Sequence, residues 1–293
     1  AVLAEIRPSS GDFGVAGAEY FGTDIPIRGV AGDQQAALFG QGCFEPGQGK
    51  NTYGTGAFLL LNTGSVRPDH GDGILATAAC NAKGEYAYAL EGSIFIAGAA
   101  IQWLRDGLGI LSEAAESEPM ARSLSSNDGV YFVPALTGLG APHWNPDARG
   151  MIVGLTRGTT RAHLARAALE AMAYGTADVL DAMRGRSGGA FDLLRVDGGA
   201  SVNRWLMQFQ SDILGVPVER PAVVETTALG AAGLAGIASG VWRDADEFMS
   251  VRDYVRFKPE MTVSERNELR GNWSRAVRSA LFWAQPNRSR EEP

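Results

Sequence analysis

The chain has 293 residues, 45 % hydrophobic and 20 % charged, the composition of an ordinary globular protein long enough to bury a sizeable core. Its net charge of −7 and pI near 5.1 argue against nucleic acid or an anionic membrane as partner. No apolar run approaches membrane-spanning length, no signal peptide is visible, and two cysteines, Cys43 and Cys80, are too few for a disulfide framework, so a reducing cytoplasm is expected.

Glycine is abundant, at 38 residues, and much of it flanks short apolar runs, which points to hairpins and close backbone approaches rather than linkers. The chain begins at Ala1-Val2-Leu3 without Met and reads as the middle of a longer protein. Residues 1 to 28 form short elements between turns, and Ile25-Pro26-Ile27 leads into Gly32. A helical run opens at Asp33 and continues through Ala36, Ala37, Leu38 and Phe39. Residues 50 to 62 read as two strands around a Gly54-Thr55-Gly56 tip, and residues 74 to 80 and 85 to 91 as a second hairpin. A helix is expected over about 94 to 108, with Ile94, Ala97, Ile101 and Leu104 on one face.

Residues 110 to 128 are polar and helical or irregular, and strands follow at 130 to 136 and 151 to 155. The run from Arg161 to Met183 is a long amphipathic helix, with Leu164, Ala168, Ala171, Met172, Gly175 and Val179 as its buried stripe. A strand at 193 to 197 ends in Gly198-Gly199, a helix covers 203 to 214, and a short strand covers 216 to 219. The small-residue helix at 226 to 239 must pack closely against a neighbour, and a last helix spans about 264 to 283. Arg275 to Arg290 is the one locally basic stretch and reads as helix and tail. Alternating hairpins, strands and helices give an α/β fold with a mixed sheet.

An Asp at a helix start stays ionised readily, because free N–H groups and the helix dipole favour negative charge there. Asp33 is therefore a candidate general base or metal-binding carboxylate; the bland alternative is a cap. Three glycine turns, Gly54-Thr55-Gly56, Gly138-Leu139-Gly140 and Gly198-Gly199-Ala200, can each expose backbone N–H groups to an anion, and together with Asp33 they favour nucleotide phosphates. Gly47 to Asn51 lacks the leading Gly and the Ser or Thr of a P-loop, there is no Gly-x-Gly-x-x-Gly, and Leu104-Arg105-Asp106 lies within a helical pattern. His70, His143 and His163 are scattered without a second ligand at metal spacing.

Several stretches resemble the glycerol kinases of the FGGY carbohydrate kinase family. They are Gly32-Asp33-Gln34-Gln35-Ala36-Ala37-Leu38-Phe39-Gly40, Lys50-Asn51-Thr52-Tyr53-Gly54-Thr55-Gly56, Gln102 to Asp106, Pro134 to Pro142, Arg195 to Ala200 and Met207 to Gly215. Gly150 to Leu155, followed by His163-Leu164 and Ala167 to Glu170, resembles the pattern of the wider family. The resemblance runs through nearly the whole chain in order. It implies an RNase H-like, actin/Hsp70-type ATPase fold, in which this chain is the second half of a two-domain kinase. Residues 1–42 would be the tail of the first domain, carrying the catalytic Asp, and residues 43–293 the nucleotide-binding second domain with the C-terminal helix.

The implied activity is ATP-dependent phosphorylation of glycerol to sn-glycerol 3-phosphate, with Mg²⁺, the chain being incomplete alone. By resemblance, Asp33 is the catalytic base and lies near the magnesium. Gln34 binds a glycerol hydroxyl and Phe58 walls the glycerol carbons. Gly54, Thr55 and Gly56 form the phosphate-binding hairpin, Gly98 and Gln102 lie beside the nucleotide, and Gly199 and Asn203 belong to the adenosine motif. Asn203 also reads as a helix cap, Gln102 as a surface polar residue, and Lys50 is expected at a strand edge. The resemblance further implies a homo-oligomer in the complete enzyme, while Asp24 in the Phe21 to Asp24 loop is expected to repel a sugar-phosphate effector. The alternatives are a related kinase for another polyol or sugar, and a nucleotide-binding fragment without catalysis.

Overall fold

A computed structural model describes residues 4–187, 191–250 and 252–285. Ala1-Val2-Leu3 and the basic residues beyond 285 lie outside the described residues. The chain opens with β1 (Val15–Ala16), α1 (Ala18–Phe21) and β2 (Ile25–Pro26), in which β1 and β2 pair antiparallel. Then come α2 (Asp33–Gly40), the hairpin β3 (Gly49–Tyr53) and β4 (Ala57–Gly64), and the hairpin β5 (Ile74–Cys80) and β6 (Tyr86–Ile94). The middle holds α3 (Gly98–Gln102), α4 (Ser117–Arg122), β7 (Tyr131–Val133), β8 (Met151–Val153) and α5 (Arg161–Ser187). The last part comprises β9 (Leu194–Asp197), α6 (Arg204–Leu214), β10 (Val218–Pro221), α7 (Thr226–Ala238), α8 (Ala245–Ser250), β11 (Tyr254–Phe257) and α9 (Val263–Trp283).

Among the described residues, seven strands form one mixed sheet in the order β11-β10-β9-β3-β4-β6-β5, with β3, β9 and β10 parallel and the other pairings antiparallel. Helices cover both faces, as a sheet buried on two sides requires. On one face α2 lies over β3, β4 and β5 and packs on α7; on the other, α5 lies over β4, β5 and β6, and α6 over β10 and β11. The largest apolar cluster lies on the α5 side, around Leu59, Leu61, Leu90, Met172, Tyr174, Val196 and Phe209. Smaller clusters around Leu38, Leu60 and Ala89, and around Phe39, Leu234 and Phe248, seat α2 and α7.

The small-residue helix finds its partner in α2. A Cβ on Gly230 would stand 1.8 Å from the Ala36 carbonyl oxygen, so only glycine lets these two helices meet. The helix expected over 94 to 108 is divided. β6 runs on to Ile94 because Ile94 pairs with Ala57, and α3 starts only at Gly98. Residues Trp103–Gly107 then widen into a π-helical turn ending before Gly109, whose φ is +65°.

Candidate active site

β3 and its hairpin organise the site. Alternation along the strand sends Lys50 and Thr52 to the α2 face and Asn51 and Tyr53 to the α5 face. On the α5 face the Tyr53 hydroxyl donates to Gln210 Oε1, and Asn51 Nδ2 donates to Thr176 Oγ1 at 3.1 Å. The Thr176 hydroxyl donates in turn to the Met172 carbonyl at 2.8 Å, and Gln210 Nε2 donates to the Ala173 carbonyl at 3.2 Å. The base of the hairpin is thereby fastened to two helices.

Beyond Tyr53 the hairpin tip closes on α3. The Thr55 carbonyl accepts from the Ala97 and Ala99 amides at 2.8 and 3.1 Å, and the Gly54 carbonyl from Gly98 at 3.0 Å. A cavity of about 510 Å³ opens beside the tip, of a size for a nucleotide. Gly54, Thr55, Gly98, Gln102, Gly199 and Asn203 all line it, from three separate parts of the sequence. Gln102 and Gly98 stand one turn apart on α3, and Asn203 caps α6, its Oδ1 accepting from the Leu206 amide at 2.9 Å. That bond leaves the Asn203 amide group turned toward Ser117, 3.5 Å away and also in the lining. Gly56 is half-buried and outside the lining.

Asp33, Gln34 and Phe58 form a second cluster. Asp33 is exposed as the first residue of α2, following Gly32 as N-cap, and its Oδ1 accepts from the Gln34 amide at 2.8 Å. Gln34 sits beneath it with its side-chain oxygen on Lys50 Nζ. Phe58, partly exposed on β4, is paired across the hairpin with Thr52, and its carbonyl accepts from Lys50 Nζ at 3.2 Å. The two clusters share one hairpin: Phe58 lies three residues from Thr55, about 10 Å along the chain.

A profile described as "FGGY family of carbohydrate kinases, C-terminal domain" matches residues 49–239. The chain belongs to this family. Glycerol kinase 2 of Thermotoga maritima is 57 % identical over 284 residues, and glycerol kinase of Bacillus velezensis is 55 % identical over 284. These matches cover 97 % and 96 % of this chain but 57 % of each relative, so the chain spans little more than half their length. Among solved structures, Plasmodium falciparum glycerol kinase with ADP matches with a TM-score of 0.86 and 37 % identity over 94 % of this chain and 55 % of that one. A ligand-bound xylulose kinase from Lactobacillus acidophilus, 20 % identical, shares the fold with a TM-score of 0.79 over 94 % of this chain and 57 % of that one.

Within this FGGY chain three sequence expectations are corrected. Lys50 is not at a strand edge: β3 lies between β9 and β4, and the side chain is fully buried beneath α2. Burial lowers its pKa to about 8, while Asp197, Glu91, Cys43 and Asp33 act to raise it. The turn at Gly138 to Gly140 does not join the nucleotide-sized cavity; it packs around a small separate void with His143 and Asp178, because Gly140 folds against the Ser93 carbonyl. Gly198, the first of the paired glycines, serves the sheet: its φ is +80° and a Cβ there would stand 2.3 Å from the Tyr53 carbonyl oxygen. Its neighbour Gly199 faces the cavity.

Sequence reading missed two further groups. Arg105, Ser117 and Glu118 line the cavity from the π-helical turn and α4. Asp197, fully buried at the end of β9, accepts from Gln41 Nε2 at 2.9 Å and from the Thr226 hydroxyl, tying β9 to the end of α2 and the start of α7. His163 is structural: its Nδ1 accepts from the Thr160 amide at 3.1 Å, and its Nε2 faces Asp128 at 3.2 Å. Among the described residues no group of three or more His, Cys, Asp or Glu could hold a metal, and no helix is long and apolar enough to cross a membrane.

Proposed function

We propose that this chain is the nucleotide-binding part of an ATP:glycerol phosphotransferase and carries its general base. The observation that carries this is the shared hairpin: a nucleotide-sized cavity at its tip, and the Asp33–Gln34 helix start over its base. The relatives named glycerol kinase support the choice of acceptor, and the ADP-bound Plasmodium enzyme supports ATP as donor.

In this reading the adenosine lies along Gly199 and Asn203, with Gly98 and Gln102 beside the nucleotide and the phosphates at Gly54-Thr55-Gly56. Asp33 takes the proton of a terminal glycerol hydroxyl as its oxygen bonds to the γ-phosphorus and the bond to the ADP oxygen breaks. Gln34 holds a glycerol hydroxyl, and Phe58 packs on the carbons. Phosphoryl transfer depends on positioning and charge neutralisation more than on covalent steps, and that is what these groups supply. Asp33 is an exposed hard-oxygen donor, which suits a magnesium ion that otherwise takes phosphate oxygens and water; bound there, it would neutralise phosphate charge.

Residues 1–42 belong, in this reading, to the end of the first domain and 43–293 to the second. The exposed apolar side chains of Ile6, Tyr20, Phe21, Ile25, Ile27 and Val30 support a covering neighbour for that first stretch. Cytoplasmic location and assembly into a homo-oligomer are part of the same proposal. The test is a coupled ADP-release assay on the two-domain enzyme carrying this chain, with Mg·ATP and glycerol. Asp33→Asn lowers turnover about 10² to 10⁴-fold, the usual worth of a general base, and leaves ADP affinity unchanged. Undiminished turnover in that variant would sink the assignment.

A further inference from the structure

Lys50 is an unusual residue for an interior strand. An ammonium group rarely lies fully buried without partners that take up its protons. Here three acceptors surround Nζ: the Gln34 side-chain oxygen from α2, the Thr52 hydroxyl oxygen at 2.8 Å and the Phe58 carbonyl at 3.2 Å. An ammonium has three N–H donors and no acceptor, so this set uses all of them. It also fixes the orientation of Gln34. A flipped carboxamide would point its NH₂ group at the ammonium, donor against donor.

We propose that Lys50 is a positioning residue of the acceptor site: it pins the oxygen of Gln34, so that the amide presents its two N–H donors to a hydroxyl oxygen of the polyol. This rests on the proposed phosphorylation of glycerol. Lys50 touches no reacting atom; it acts through Gln34. Thr52, whose oxygen accepts from Nζ, keeps its own hydrogen for a second acceptor on the same side. The carbonyl of Phe58 joins the set, so the ammonium ties the first turn of α2 to both strands of the hairpin that bears the nucleotide-sized cavity.

The groups that face the ammonium are Asp33 and Gln34 from α2, Glu91 from β6, Asp197 from β9, and Cys43. Burial pushes the Cys43 thiol up to about 12 and raises the Glu91 carboxyl, so Cys43 stays neutral through the alkaline range in which Lys50, near 8, gives up its proton. Neutral Nζ gains a lone pair and accepts as well as donates. The flipped amide is then allowed, and Gln34 loses its fixed orientation.

The experiment is steady-state kinetics on the two-domain enzyme carrying this chain, with glycerol and ATP varied separately. Glycerol turnover by the unmodified enzyme is measured first; its absence overturns the proposed function and this role with it. With turnover present, Lys50→Met raises the glycerol KM about ten-fold, the size expected from one charged hydrogen bond, and leaves the ATP KM unchanged. In a Gln34→Met background the same change adds nothing further. The unmodified enzyme needs no substitution for the second arm: its glycerol KM rises from about pH 7 to about pH 9.5 while its ATP KM stays flat. Equal shifts in both KM values, additive effects of the two substitutions, or a glycerol KM flat with pH would each overturn the role of Lys50 and leave the proposed reaction standing.

Discussion

The two faces of β3 are both buried and both polar, yet they are built from different chemistry. On the α5 face, Asn51, Tyr53, Thr176 and Gln210 are neutral and pass hydrogen bonds to helix carbonyls. On the α2 face lie an ammonium, Lys50, and a buried carboxylate, Asp197, with Gln34, Gln41 and Thr226 as their partners. Neutral hydrogen bonds are enough to fasten a hairpin to its helices. Burying charge carries a desolvation penalty that stability alone does not explain. The charged face carries Asp33 and Gln34, whereas the cavity borders the α5 side, where Tyr53, Leu169 and Met172 line it. One strand thus meets the Asp33–Gln34 cluster on one side and the cavity on the other.

The strongest challenge to that division is Gly198→Ala, because Gly198 touches both sides at their common end. Its φ is positive, and a methyl group at that position would stand 2.3 Å from the Tyr53 carbonyl oxygen, which leaves no room for a side chain without moving β3. Strain of this kind costs about 3 kcal/mol. Urea unfolding should show that loss, and titration should show weaker ADP binding. A variant that keeps wild-type stability would mean that the seam between β3 and β9 yields, and that the two faces are not held in register there.

Tyr53→Phe sharpens the contrast with a smaller effect. It removes the hydroxyl that donates to Gln210 and leaves a buried oxygen unpaired, which costs about 1–3 kcal/mol. The expected result is a lower urea midpoint with the glycerol KM unchanged in the two-domain enzyme, since Tyr53 lines the cavity and not the Asp33–Gln34 cluster. Lys50→Met, by contrast, changes the glycerol KM. If Tyr53→Phe moved the glycerol KM as far, the neutral face could no longer be separated from the Asp33–Gln34 cluster.

What the sequence conveyed of this arrangement, and what it hid, follows from the range of each signal. α5 was legible because its apolar residues recur at helical spacing, and the β3–β4 hairpin because its strands flank a glycine tip. The cavity-lining residues Gly54, Thr55, Gly98, Gln102, Gly199 and Asn203 were legible through resemblance, each within a short motif. Lys50 was misjudged because position within a sheet is long-range information. β3 is interior only because it pairs with β9, more than 140 residues later, and nothing in Gly49 to Tyr53 announces that. The turn at Gly138 to Gly140 was misjudged because its glycines serve packing: Gly140 meets Ser93 and Phe95, and Gly138 meets Asn145 and Pro146. Arg105 was obscured by a π-helical turn that a 3.6-residue period does not anticipate.

Asn203 tests the finest part of the division, because one side chain serves both purposes. Its oxygen caps α6 and its amide group faces the cavity beside Ser117. Asn203→Ala removes both and costs about 1 kcal/mol of stability, the usual worth of an N-cap, along with ADP affinity. Asn203→Asp separates them, since Asp caps a helix as well as Asn but carries no N–H donor. Urea unfolding and ADP titration on the two variants should therefore diverge: Asp keeps the stability that Ala loses, and both bind ADP more weakly than the unmodified protein. Undiminished ADP binding by Asn203→Asp would reduce Asn203 to a cap, and leave the backbone at Gly199 as that turn's remaining group facing the cavity.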